Sequence, residues 1–178
     1  MIGLSAARFY HAAIGAVMLA TIGTACLGVT RASAQAGAPD YAALMAAPDR
    51  SDADRQADKR RDPVPFLTFA GLRPGMKVLD MGAGAGYSTE LDARAVGPTG
   101  TVYGQNSPDL SERGKAAFAA RLATPAMKNS VGLSRPFDDP LPADVHDLDM
   151  ITFLFFYHDT TYMEVDGCRD GSQIVRGA

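Results

Sequence analysis

The chain predicts an α/β fold, a doubly wound and mostly parallel sheet preceded by a helical extension. Three observations carry that prediction. An apolar run, Met76 to Met81, contains Asp80 at its end and passes at once into Gly82-Ala83-Gly84-Ala85-Gly86. Such a junction hands a buried parallel strand to a helix N-terminus at a ligand. A second apolar run, Leu148 to Tyr157, holds Ile151, Phe153, Leu154, Phe155 and Phe156 and reads as a strong strand. Between and around these, strand-like and helix-like segments alternate, which is the pattern of βαβ units.

Taken in order, Tyr41 to Arg61 reads as a helical, heavily charged stretch interrupted at Pro48. From Asp49 to Arg61 the charges alternate in sign at helical spacing, which predicts a solvated face whose ion pairs contribute little each. A lid lying over a ligand pocket is the functional alternative. Pro63 to Ala70 is a short helix, because Val64, Phe66, Leu67 and Phe69 give it an apolar side. Gly71 to Gly75 is a turn and Met76 to Met81 the first strand. Gly86 to Val96 is the helix that follows, with Asp92 a misfit on what should be its packed face. Gly97-Pro98-Thr99-Gly100 is a turn and Thr101 to Gly104 the second strand. Asp109 to Leu122 is the next helix, with Leu110, Phe118 and Leu122 on one face. Residues 130–134 make a weak third strand, and Leu148 to Tyr157 the fourth. No internal repeat is visible.

The first 34 residues read as a processing segment. Arg8 and His11 precede an uncharged stretch from Ala12 to Val29, and Ala32-Ser33-Ala34 supplies a small-residue cleavage site. An uncleaved membrane anchor is the alternative, and both readings place the remainder across the membrane. The expected location is therefore the periplasm, or the outer side of an inner-membrane anchor. Cleavage leaves 15 basic against 20 acidic residues, a net charge of −5 against −3 for the whole chain. No basic patch interleaved with aromatics points to nucleic acid. Cys26 would leave with the segment and Cys168 would stand alone, so the mature form could make no internal disulfide.

The chain resembles the class I S-adenosylmethionine-dependent methyltransferases, and within them a bacterial exported group of predicted methyltransferases. Arg60-Arg61-Asp62-Pro63, Leu72-Arg73-Pro74-Gly75 and Val78 through Glu90 carry the resemblance. It continues through Gly97-Pro98-Thr99-Gly100, Asn106-Ser107-Pro108, Pro136 through Pro142, and Phe156-Tyr157-His158-Asp159. It covers residues from about 40 to 166 and implies a Rossmann-like sheet with S-adenosylmethionine as cofactor.

By that resemblance, Asp80, Gly82, Gly84 and Gly86 surround the methionine part of the cofactor, where a carboxylate suits an ammonium group. A pyrophosphate would be repelled there, and a nicotinamide-binding turn would want its third glycine at Tyr87 and no acid at position 80. A carboxylate capping the turn's own amides is the structural alternative for Asp80. Asn106 stands where methyltransferases usually hold the ribose with an acid, and its amide can both accept and donate. Phe137 and Asp138 stand at the adenine-stacking position and at the acceptor for the adenine amino group; an ordinary turn is their alternative. Tyr157, His158 and Asp159 end the fourth strand at the carboxyl edge, where ligands of open sheets bind. His158 has the pKa of a general base and Asp159 could orient it or act itself. A strand-capping histidine is the alternative. No metal site is expected.

A full domain of the class has about seven strands, of which this sequence supplies about four. Residues 63–166 then form a partial methyltransferase core behind a charged helical segment, 35–62, and 167–178 are a tail without helical or strand periodicity. A frameshift is one account of that tail, which an early stop codon in the shifted frame of the coding DNA would exclude. The expected function is methyl transfer to an unknown, small-molecule acceptor by a truncated and weakly active chain, of unknown oligomeric state. Any membrane contact would come through an uncleaved N-terminus. The alternative is a non-catalytic remnant or ligand-binding module that keeps part of the cofactor pocket.

Overall fold

The structure is a computed structural model that describes residues 37–154. Three helices come first: α1 (Tyr41–Met45), α2 (Asp52–Arg61) and α3 (Pro63–Ala70). Each begins where the sequence supplies a cap or a proline. Asp40 accepts from the Ala43 amide at 3.0 Å, Ser51 from the Asp54 amide at 3.1 Å, and Pro63 occupies the first turn of α3. Gly71 closes α3 in the left-handed conformation, φ 64°.

The core follows as β1 (Lys77–Met81), α4 (Tyr87–Val96), β2 (Thr101–Asn106), α5 (Glu112–Leu122), β3 (Ser130–Ser134) and β4 (Met150–Thr152). All pairings are parallel and the strand order is β3-β2-β1-β4. The alternation read from the sequence is the one observed. β2 runs two residues past the expected Gly104, and α5 starts at Glu112 behind a Ser111 cap, leaving Leu110 ahead of it. β4 covers only Met150–Thr152 of the expected Leu148 to Tyr157: Leu148, Asp149, Phe153 and Leu154 lie outside the strand, and the expected part from Phe155 onward lies outside the described residues. So do the N-terminal processing segment, both cysteines, Tyr157, His158, Asp159 and the tail.

Strand parity divides the core. Val78 and Val102 point to the side that carries Leu67, Leu72, Leu91, Val96 and Met127, whereas Leu79 and Met81 pack on the other side with Phe137 and Leu141. Full burial of each such side chain contributes about 1.5–3 kcal/mol. Asp80 shares the parity of Val78, which puts its carboxylate beneath α4.

The charged helix is solvated at Asp52, Lys59, Arg60 and Arg61, as its alternating signs suggest, but not all round. Arg50 and Asp54 are buried, and each pair joins α2 to a residue outside it: Asp58 of α2 pairs with Arg50, which precedes the helix, and Asp54 with Arg121 on α5. Burial of a charge requires such a partner. The Asp54 carboxyl, which burial alone would raise, is brought below its usual range by the hydrogen bonds from Arg121 and Ser51.

Candidate functional site

The glycine turn leaves β1 with positive φ at Gly82 (69°), Gly84 (58°) and Gly86 (84°), a path closed to residues with a Cβ except at strain. β2 holds it in place. The Gly82 amide donates to Gln105 Oε1 at 3.2 Å and the Ala83 amide to the Gln105 carbonyl at 2.9 Å. Asn106 pairs with Gly84 twice, accepting from its amide at 2.7 Å and donating to its carbonyl at 3.0 Å. Gln105 is fixed in turn, because its Nε2 donates to the Arg135 carbonyl at 2.6 Å.

The turn is therefore set before any ligand arrives. Packing supports it from the other side. Phe118 of α5 sits so close to Gly86, Gly104 and Gly132 that a Cβ at these positions would come within 2.8, 2.7 and 3.1 Å of its ring.

Beside this turn, at the carboxyl ends of β1 and β2, lies a cavity of about 270 Å³ lined by Gly82, Gly84, Asn106, Ser107, Asp109 and Phe137 among others. Ligands of open α/β sheets bind at this edge. Four of the sequence-derived candidates, Gly82, Gly84, Asn106 and Phe137, thus meet in one crevice. The other described candidates lie elsewhere. Gly86 is the cap of α4 and faces Phe118 and Arg121. Asp138 is exposed in the turn after Phe137. Phe137 itself is buried, with its ring centroid 5.8 Å from that of Phe153.

Asp80 is fully buried and does not cap the turn's amides. Its Oδ2 accepts from the hydroxyls of Ser88 at 2.8 Å and Thr89 at 2.7 Å, so it orders the first turn of α4. Burial pushes its pKa up to about 6, against the hydroxyls of Thr89, Ser88 and Thr152, which favour the charged form. Asp92 lies fully buried beside it, as its packed-face spacing implied. Thr152 donates to Asp92 Oδ2 at 3.0 Å, while Asp92 Oδ1 has no partner among the described residues. Burial first, and then the Asp80 charge, hold the Asp92 carboxyl well above the usual range.

A larger cavity of about 500 Å³ opens between α2, α4 and α5. Its charged groups satisfy one another: Arg94 with Asp49 and Glu90, Arg121 with Asp54 and Glu90. The crevice at the strand ends, though smaller, is where the backbone comes open to a ligand. Gln105 and Arg121 escaped the sequence reading. Gln105 adjoins Asn106 at a strand end, a recognisable signal, whereas nothing local marks Arg121.

Comparison with known proteins fits this geometry. The protein-L-isoaspartate(D-aspartate) O-methyltransferase family matches residues 63–125. A ubiquinone/menaquinone biosynthesis C-methyltransferase, UbiE, of Cupriavidus taiwanensis is 33% identical over 98 residues, 55% of this chain and 38% of that protein. A protein-L-isoaspartate O-methyltransferase of Ignicoccus hospitalis is 44% identical over 56 residues, 31% of this chain and 26% of that one. Among solved structures, a SAM-dependent methyltransferase from Aquifex aeolicus shares 31% identity over 55% of this chain and 50% of its own, with a TM-score of 0.46.

The parallel order β3-β2-β1-β4, the glycine turn after β1 and these sequence matches make the chain similar to class I S-adenosylmethionine-dependent methyltransferase domains. S-adenosylmethionine is the cofactor of that class. The chain spans less than half the length of the curated relatives it matches.

Proposed function

We propose that the crevice bounded by Gly82, Gly84, Asn106 and Phe137 binds S-adenosylmethionine and that the protein transfers its methyl group to a small-molecule acceptor. The observation that carries this reading is the turn itself, fixed on β2 by Gln105 and Asn106 and opening onto the cavity at the strand ends. The residues fit the cofactor. Gly84 has open space where a Cβ would stand, so a ligand can approach its backbone. The Asn106 amide keeps one N–H and one lone pair beyond its bonds to Gly84, enough for a ribose hydroxyl. Phe137 and Asp138 are proposed for the adenine, and Asp80 acts on the methionine end through Ser88 and Thr89.

The cofactor supplies an activated methyl group on a sulfonium leaving group. What the chain must supply is mostly position, because the displacement is in line at carbon. Tyr157, His158 and Asp159 are proposed as the acceptor-side groups, with His158 removing the acceptor's proton where there is one. Export of the mature protein belongs to the same reading, and fractionation of cells carrying the native N-terminus tests it. The isoaspartyl and quinone activities in the relatives' names are those proteins' own.

Calorimetric titration of the full chain with S-adenosylhomocysteine tests the cofactor assignment. Saturable binding is expected, weakened by Asp80→Ala and not reproduced by a nicotinamide dinucleotide. Absence of binding would favour a remnant without cofactor function, and preference for the dinucleotide would replace the assignment.

A further inference from the structure

Resting on the cofactor assignment above, we propose that Arg121 is a positioning residue that couples the charged helix α2 to the glycine turn. Arg121 stands in the last turn of α5, and its guanidinium reaches three other elements at once. Nε donates to the carbonyl of Ala85, within the turn, at 2.9 Å. Nη1 and Nη2 donate to the two oxygens of Asp54 on α2 at 3.0 and 2.9 Å, and Nη1 also donates to Glu90 in the first turn of α4. The contact with the turn extends to packing, since a Cβ on Gly86 would come within 2.9 Å of Arg121 Cδ.

An exposed network of this kind would carry little, because water and salt screen it. This one is not exposed. The Arg121 side chain is 19% accessible and those of Asp54 and Glu90 are 8% each. A planar guanidinium with N–H groups in a fixed fork also sets directions that a flexible ammonium cannot.

A second tie runs from the same helix to the same junction. Asp58 of α2 accepts from the hydroxyl of Tyr87, the first residue of α4, at 2.6 Å, and the Arg61 guanidinium lies 4.6 Å from the centre of that ring. The turn is thus gripped by β2 at Gly82, Ala83 and Gly84 and by Arg121 at the carbonyl of Ala85. Helix α2 biases the second grip through Asp54. Docking of α2 and occupancy of the crevice are then linked equilibria, each favouring the other.

The test is a double-mutant cycle on cofactor affinity, with the full chain titrated with S-adenosylhomocysteine. Asp54→Asn is nearly isosteric and is expected to weaken binding about five-fold or more, the lower end of site-to-site couplings. Arg121→Gln is expected to weaken it at least as much. In the Arg121→Gln background, Asp54→Asn should have no further effect. Arg121→Lys, which keeps the charge without the fork, should recover only part of the affinity; should Arg121→Gln not fold, Arg121→Lys must still bind more weakly than the parent, and equal binding would overturn the coupling. Losses that multiply in the double variant, or single variants that bind like the parent, would overturn the coupling while leaving the cofactor assignment standing. A parent chain that binds no S-adenosylhomocysteine would instead overturn that assignment and the coupling with it.

Discussion

Asn106 pairs with Gly84 through its side chain as a neighbouring strand would through its backbone, with Oδ1 taking the glycine amide and Nδ2 meeting the glycine carbonyl. Asn106→Asp keeps the acceptor and loses the donor, leaving a carboxylate oxygen beside a carbonyl. The variant should lose about 1–3 kcal/mol of stability, the cost of an unmade bond at a buried group. Urea denaturation measures this, and a variant as stable as the parent would show that the pairing contributes nothing.

Phe118 occupies the space that glycine leaves at three positions, so the ring and the missing side chains are one feature. Gly104→Ala would place a Cβ 2.7 Å from Phe118 Cζ and 2.9 Å from Thr89 Cγ2, and should destabilise by about 1–3 kcal/mol. Phe118→Ala should cost about 3–5 kcal/mol. Combined, the two should cost clearly less than their sum, because the clash goes with the ring. Additive losses in thermal unfolding would contradict the shared seat.

Asp92 opposes folding as pH rises. Both it and Asp80 have carboxyl groups raised by burial, so the folded state binds protons more tightly than the unfolded chain. Stability from this pair is therefore greatest below the unfolded value of about 4 and declines as pH rises toward 6, where Asp80 ionises, and beyond for Asp92. Asp92→Leu removes the raised carboxyl and its unpartnered Oδ1, and should stabilise by about 1–3 kcal/mol at pH 7. The gain should shrink toward pH 4. A gain independent of pH, or a loss at pH 7, would show that Asp92 is not held neutral at a cost.

The sheet was legible in the sequence wherever burial and backbone chemistry agreed. Pro63 and Gly71 bracket α3, and the apolar run through Val78 and Leu79 could only be a covered strand. β2 was read short because Gln105 and Asn106 look like loop residues; they are buried because their side-chain amides bond the glycine turn. The buried side of the charged helix was illegible for a different reason. Alternating signs show that charges can pair, not with whom, and the partner of Asp54 lies on α5 at Arg121, far along the chain. The direction of Asp80 could have been read from strand parity with Val78. The misfit of Asp92 was visible from helical spacing, but its neighbour Thr152 was not.

Under the proposed function, a ligand enters at the strand ends beside Gly82 and Gly84. Titrating the ¹⁵N-labelled full chain with S-adenosylhomocysteine and following its amide resonances tests this directly. Saturable shifts should concentrate at Gly82 to Gly86, at Asn106 to Ser111 and at Phe137, with little change at the distant Gly97–Gly100 turn. Shifts confined to the cavity among Asp49, Arg94 and Thr124, or no shifts at all, would contradict it.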